Sequence, residues 1–303
     1  MGVDGHKTMR PRRSSNVRRP WVRLFLTSFL PYLLTSSVAA QQRPLRTPDA
    51  EILPAGTFEA QVGFDFLQDV DFPTSGLTGD LTSVAVFRTR TAVGKMVELQ
   101  MEGAIHQFLS VKQQVAGPIP VTLTGPNSTR DWGDFTFYTK VRLLSESERR
   151  PAVAFRFGYQ MPNSNQARGI GLNTMNLFAE MIFQKHIRKL NLFGSAGLAI
   201  LQAPTATFTQ NDVLTYGIAF SYPVHRRVTV LGEVAGRYSS RDITPALVGT
   251  ESLSHARFGV QIDAGGMVWD VAGIKGLTSR DAKSGFTFGL SKRMNIFDYS
   301  KVK

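Results

Sequence analysis

The sequence predicts an all-β chain: a transmembrane antiparallel up-and-down β-barrel of about twelve strands, after a cleaved signal peptide. Three observations carry that expectation. First, apolar and polar residues alternate with a period of two in segment after segment, as in a strand with one apolar and one polar face. Second, these segments average about twelve residues, longer than the five or six usual in globular proteins and close to the length that spans a bilayer. Third, the connections run about 12, 4, 23, 6, 12, 3, 11, 4, 14, 2 and 6 residues. Short turns alternating with long loops are the pattern of outer-membrane barrels, with turns in the periplasm and loops outside.

The elements follow in chain order. Lys7, Arg10, Arg12, Arg13, Arg18, Arg19 and Arg23 form a basic leader, "LFLTSFLPYLL" (24–34) an apolar stretch, and "VAA" (38–40) a small-residue cleavage site. Cleavage is expected after Ala40, with translation starting at Met1 or Met9. Segment 41–55, "QQRPLRTPDAEILPA", is Pro-rich without alternation and reads as a short periplasmic lead-in. The barrel is expected over 56–297, with strands at 57–68, 81–91, 96–109, 133–144, 151–161, 174–185, 189–201, 213–222, 227–238, 253–264, 267–277 and 284–297. In the first of them Phe58, Ala60, Val62, Phe64 and Phe66 share one parity, expected to face lipid, and Glu59, Gln61 and Asp65 the other. An arginine at Asp65 is therefore expected to be tolerated far better than one at Phe64. The last strand ends on Phe297, which resembles the C-terminal signal read by the barrel-assembly machinery, and 298–303 form a short tail.

Composition narrows the function classes. The chain has 303 residues and a net charge of +12, but the leader holds seven of the basic residues, leaving 28 basic and 22 acidic. A nucleic-acid partner loses its main support. With no cysteine, disulfides, thiolate metal sites and an acylated lipoprotein are excluded.

Charges recur in mid-strand, always on the polar parity. "VFRTRTAVGKMVELQMEGAIHQFL" (86–109) brings Arg88 and Arg90 across a tight turn from Glu98, Gln100, Glu102 and His106. "WGDFTFYTKVRLL" and "RRPAVAFRFGYQMPN" add Asp134, Lys140, Arg142 and Arg156, and "VLGEVAGRY" adds Glu233 and Arg237. Two readings fit this set: cross-strand ion pairs that stiffen the lumen, or a polar constriction on a solute path.

The R-x-R strand, the Gly turn into E-L-Q-x-E, the G-D with a Lys six residues on, and P-A-V-A-x-R-x-G-x-x-x-P resemble, in order, the outer-membrane transporters of the MetA pathway of phenol degradation. The similarity covers roughly residues 80–240. It implies a barrel that passes small organic compounds, often aromatic or apolar, and brings no catalytic residues.

The expected function is thus an outer-membrane channel for passive diffusion of small organic solutes, with outer-membrane lipid and those solutes as partners. The alternatives are a structural barrel with a plugged lumen or, less favoured, a lipid-active outer-membrane enzyme. Against the enzyme, the mature chain has four histidines without a partnered serine and amide, no G-x-S-x-G and no metal-ligand spacing, so no cofactor is expected.

Overall fold

A computed structural model describes residues 43–296. The expected leader, residues 41 and 42, Phe297 and the tail lie outside the described residues. Within them, twelve strands close into a ring: β1 (Thr57–Phe72), β2 (Leu77–Val93), β3 (Val97–Gln114), β5 (Thr136–Leu144), β6 (Ala152–Gln160), β7 (Asn176–Ile187), β8 (Leu190–Gln202), β9 (Gln210–His225), β10 (Val228–Tyr238), β11 (Leu253–Ala264), β12 (Met267–Gly276) and β13 (Ser284–Asn295). Each pairs antiparallel with its sequence neighbours, and β1 closes on β13 from Thr57 opposite Asn295 to Gln68 opposite Ser284. A short β4 (Ser128–Asp131) adds to β3 outside the ring. No helix of the described residues is long and apolar enough to cross a membrane; the chain crosses with strands.

Each expected strand has its counterpart, but the first three run to 16, 17 and 18 residues. The twelve-residue connection expected at 69–80 shrinks to residues 73–76. Backbone pairing outlasts the apolar pattern here because the strand tips leave the hydrocarbon, where polar side chains such as Asp69 and Asp71 carry no penalty. Asp69 takes a positive φ of 52° at a register shift, and its N–H donates to the Asp80 carboxylate at 3.1 Å.

The burial pattern is inside-out. Phe64, Phe258 and Leu214 are 50, 63 and 48% exposed, while Glu59, Glu98 and Lys140 are fully buried. Apolar residues face outward around the ring, and the polar parity fills the lumen. That surface and closed ring make this an outer-membrane β-barrel.

Two features shape the lumen. Segment 43–53, expected as a periplasmic lead-in, instead lies inside the barrel, where Arg43, Leu45, Thr47, Asp49, Ala50 and Leu53 are buried. It re-emerges at the short-turn end, where the Thr57 N–H donates to Pro54 O before β1 begins. At the long-loop end, β2 carries a bulge at Ala85 (φ 51°) that turns Leu77 and Leu81 into the same buried cluster as Leu109 and Ile170. Val121 and Leu123 of the longest loop pack against that cluster. The mouth is therefore apolar above a polar lumen.

Asp65 corrects one expectation. Its side chain is buried, 4.0 Å from the Arg46 guanidinium, so an arginine there would add a cation to a crowded basic site. We expect Phe64→Arg to cost about 2–4 kcal/mol through lipid exposure, and Asp65→Arg to cost at least as much. Denaturant unfolding of the reconstituted barrel ranks the two.

Candidate functional site

The lumen is where the charged parity of nearly every strand converges, and the N-terminal segment gives it its geometry. At its centre Asp49 accepts from Arg90 (Nη1 to Oδ2, 2.8 Å) and from Lys140 (Nζ to Oδ1, 2.7 Å). Lys140 also donates to Glu51 O at 2.6 Å and pairs with Glu98 at 3.0 Å. Arg90 pairs with Glu59 at 3.0 Å, and Glu59 is shared with Arg293 at 2.8 Å. Cations and carboxylates from β1, β2, β3, β5 and β13 thus meet around one side chain of the inserted segment. Charges so desolvated are tolerable only when paired and hydrogen-bonded on all sides.

The segment's backbone is satisfied by the wall. Glu98 accepts from Leu53 N–H at 2.9 Å and Gln184 from Ala50 N–H at 3.0 Å. Glu233 accepts from Arg46 N–H, Thr47 N–H and the Thr47 hydroxyl, all at 2.8–2.9 Å, and faces Arg257 at 3.6 Å. The carbonyls of Arg43, Pro44 and Leu45 accept from Gln261, Arg257 and Arg88 respectively. Arg43 itself reaches Asp270 at 3.4 Å and Thr287 at 2.9 Å. Because an extended peptide inside a barrel has no strand partner, wall side chains stand in for one.

Small residues make the room. A Cβ at Gly289 would stand 2.6 Å from the Arg43 guanidinium, and one at Gly63, its cross-strand partner, closer still. Ala50 packs on Ala152, Ala154 and Ile182, and Leu45 on Phe193, Ala219 and Leu231.

Of the residues singled out in the sequence, Arg88, Arg90, Glu98, Gln100, Glu102, Lys140, Arg156 and Glu233 come together on the inner wall. Arg88 pairs with Glu102 at 2.8 Å. Arg156 pairs with Glu180, donates to Gln100 at 3.2 Å and lies 4.0 Å over the Tyr138 ring. The remaining four stand elsewhere. Asp134 accepts from Gln160 and Ser164 near the loops, and Arg237 donates to Glu251 O and Gly249 O in loop 239–252. Arg142 keeps the parity of Lys140 but stands beyond the last β3–β5 pair, Val97 with Val141, at the short-turn rim, where it caps Lys95 O in the β2–β3 turn. The His106 ring sits 4.6 Å from Phe108 and 6.3 Å from Trp132, both exposed, apart from the charge network.

Asp49, Glu59, Arg43, Glu180, Gln184 and Arg257 complete the network. Parity alone could have found Glu59, Glu180 and Arg257, which are charged residues on polar faces. Asp49 and Arg43 carry no such signal, because a peptide that lies across a lumen has no period. Among the described residues, no cluster of His, Asp and Glu could hold a metal ion.

No protein-family model matches the chain, and no curated protein matches it. Similar solved structures include the COG4313 outer membrane channel from Pseudomonas putida F1, with a TM-score of 0.58 and 12% identity over 81% of this chain and 98% of that one. The translocator domain of the autotransporter NalP from Neisseria meningitidis scores 0.43 at 10% identity, over 80% and 87% of the two chains. The NanC porin scores 0.45 at 8% identity, over 79% and 100%. The likeness to the first is one of fold.

Two predictions follow from the network. Glu233→Leu strands Arg257 and two backbone N–H groups, a loss of about 3–5 kcal/mol; it should lower the unfolding midpoint and make segment 43–53 protease-sensitive. Burial alone would raise the Asp49 carboxyl, but Arg90 and Lys140 outweigh it and bring its pKa down from the ordinary 3.8 to about 2. A depressed carboxyl holds the segment fully above pH 4 and loses its hold as pH falls through 2. A nitroxide on the exposed position 46 (Arg46→Cys) should stay immobile from pH 8 to about 4 and gain a mobile fraction only toward pH 2.

Proposed function

We propose that this protein is an outer-membrane channel for small organic solutes, stopped by its own N-terminal segment and opened when that segment is displaced. One observation carries the reading: an irregular segment of the chain, and not wall side chains alone, occupies the lumen. Twelve strands enclose a lumen wider than that of the side-chain-filled eight-stranded barrels. At the segment, the wall presents Gly63, Gly289, Ala152, Ala154 and Ala219. A barrel built only for structure would fill that space with large wall residues. Here, withdrawal of the segment would leave a lumen lined by charges of both signs beneath the apolar mouth.

The other features fit this reading. The apolar mouth around Leu77, Leu81 and Leu109 suits the aromatic or apolar part of a solute, and the bipolar wall beneath suits its polar end. The motif resemblance to the phenol-degradation transporters points to the same solute class, and the Pseudomonas putida protein of like fold is described as an outer membrane channel. Diffusion needs no energy source, and no nucleotide-binding loop is present in the sequence.

The test is flux. Protein lacking residues 43–53 and the intact chain would be reconstituted in planar bilayers and in liposomes loaded with a small aromatic acid. The intact protein should pass little current and slow flux, and the deletion should raise both at least tenfold. If the folded deletion variant conducts no more than empty membranes, the lumen is stopped elsewhere and the barrel is structural.

A further inference from the structure

We infer that one side of the short-turn rim is a binding surface for anionic phospholipid headgroups, formed by three consecutive dibasic hairpins. The β5–β6, β7–β8 and β9–β10 turns carry Arg149–Arg150, Arg188–Lys189 and Arg226–Arg227. These turns are neighbours around the ring, because their six strands are consecutive. All six side chains are exposed, and none makes an ion pair or side-chain hydrogen bond among the described residues. The other two short turns differ: β2–β3 holds Lys95 alone, and β11–β12 is Gly265–Gly266. The cations therefore form an arc and not a ring.

Two further features give the arc its form. The first two turns are fastened together: Glu146 accepts from His186 at 2.7 Å and pairs with Lys185 at 3.2 Å, while Lys185 donates to Ser147 O at 2.6 Å. Glu146 is thereby occupied, and Glu148 beside Arg149 offsets one charge, which leaves the three turns an excess of five cations. Equally, exposed apolar residues run up to the cations: Leu143 and Leu144 before the first turn, Ile187 at the second and Val224 at the third. At about 3.3 Å per strand residue, the charges stand within roughly 10 Å of the apolar belt's edge. That is the depth of a lipid phosphate, which decides for a lipid over a soluble acidic partner. At the opposite rim three cations are spent: Lys112 on Asp69 and Asp80, Arg280 on Asp71 and Lys283 on Asp69.

Strand spacing places adjacent hairpins about 10 Å apart, close to one Debye length at 0.1 M salt, so neighbouring pairs reinforce one another. Polybasic segments at a membrane surface hold anionic headgroups in this way. With short turns in the periplasm, the leaflet concerned is the one facing the periplasm.

The test compares spin-labelled phosphatidylglycerol with spin-labelled phosphatidylcholine around the full protein in mixed vesicles. The wild type should retain phosphatidylglycerol several-fold over phosphatidylcholine at low salt and lose most of the preference near 1 M. The variant R149Q/R150Q/R188Q/K189Q/R226Q/R227Q should bring the ratio to about one, with heat-shifted gel mobility reporting its fold. K112Q/R280Q/K283Q, at the opposite rim, should leave the ratio unchanged. Should the six-fold variant not fold, the three single-turn double variants should each remove part of the preference. A wild type without headgroup preference, or a variant that keeps it, overturns the inference. So does a wild type that ignores phosphatidylglycerol yet binds an acidic peptide through these turns.

Discussion

The contact of Asp49 with Arg90 and Lys140 is the one on which the rest of the lumen depends. Without Asp49, three cations, Arg90, Lys140 and Arg293, would share Glu98 and Glu59 with one carboxylate too few, and the cost of burying Arg90 and Lys140 would go unmet. The strands supply the wall and the inserted segment supplies the charge that balances it. Residues on either side of Asp49 are then held by the wall groups already in reach, Glu233 toward the N-terminus and Glu98 toward β1. The lumen is the protein's core, and it is ionic.

This arrangement inverts the usual division of labour. In a water-soluble domain, apolar burial supplies the stabilisation and polar groups go outside. Here the outer face meets hydrocarbon, so the interior must hold itself together by electrostatics and hydrogen bonds. Beside the segment, the small apolar contacts of Ala50 with Ala152 and Leu45 with Leu231 serve to seat it.

The strands were legible in the sequence because lipid imposes a strict two-residue period on every residue it touches. Phe64, Phe157 and Phe258 all obey it. Where lipid ends, the signal ends: the tips of β1, β2 and β3 read as loop, and β4 as part of a long connection. Glu98, Lys140, Arg156 and Glu233 were visible as inward charges. Their real partners were not, since pairing across a lumen depends on curvature and on a segment with no periodicity of its own. Arg142 shows the same limit on a smaller scale, because it is correctly phased but stands past the end of the β3–β5 pairing, at the rim and not in the lumen.

Arg43 gives the closing of the ring a check on its own accuracy. β1 and β13 are the ends of the chain within the barrel, so their seam joins the residues most distant in sequence and is the slowest contact to find. Gly63 stands opposite Gly289 only in the native alignment; a slip of two residues would set Thr287 or Ser291 against Gly63 instead. The trough that receives the Arg43 side chain is then lost, and with it the bond to Thr287. A misaligned seam leaves this arginine without its seat, so the correctly zipped barrel is the one that also holds the inserted segment.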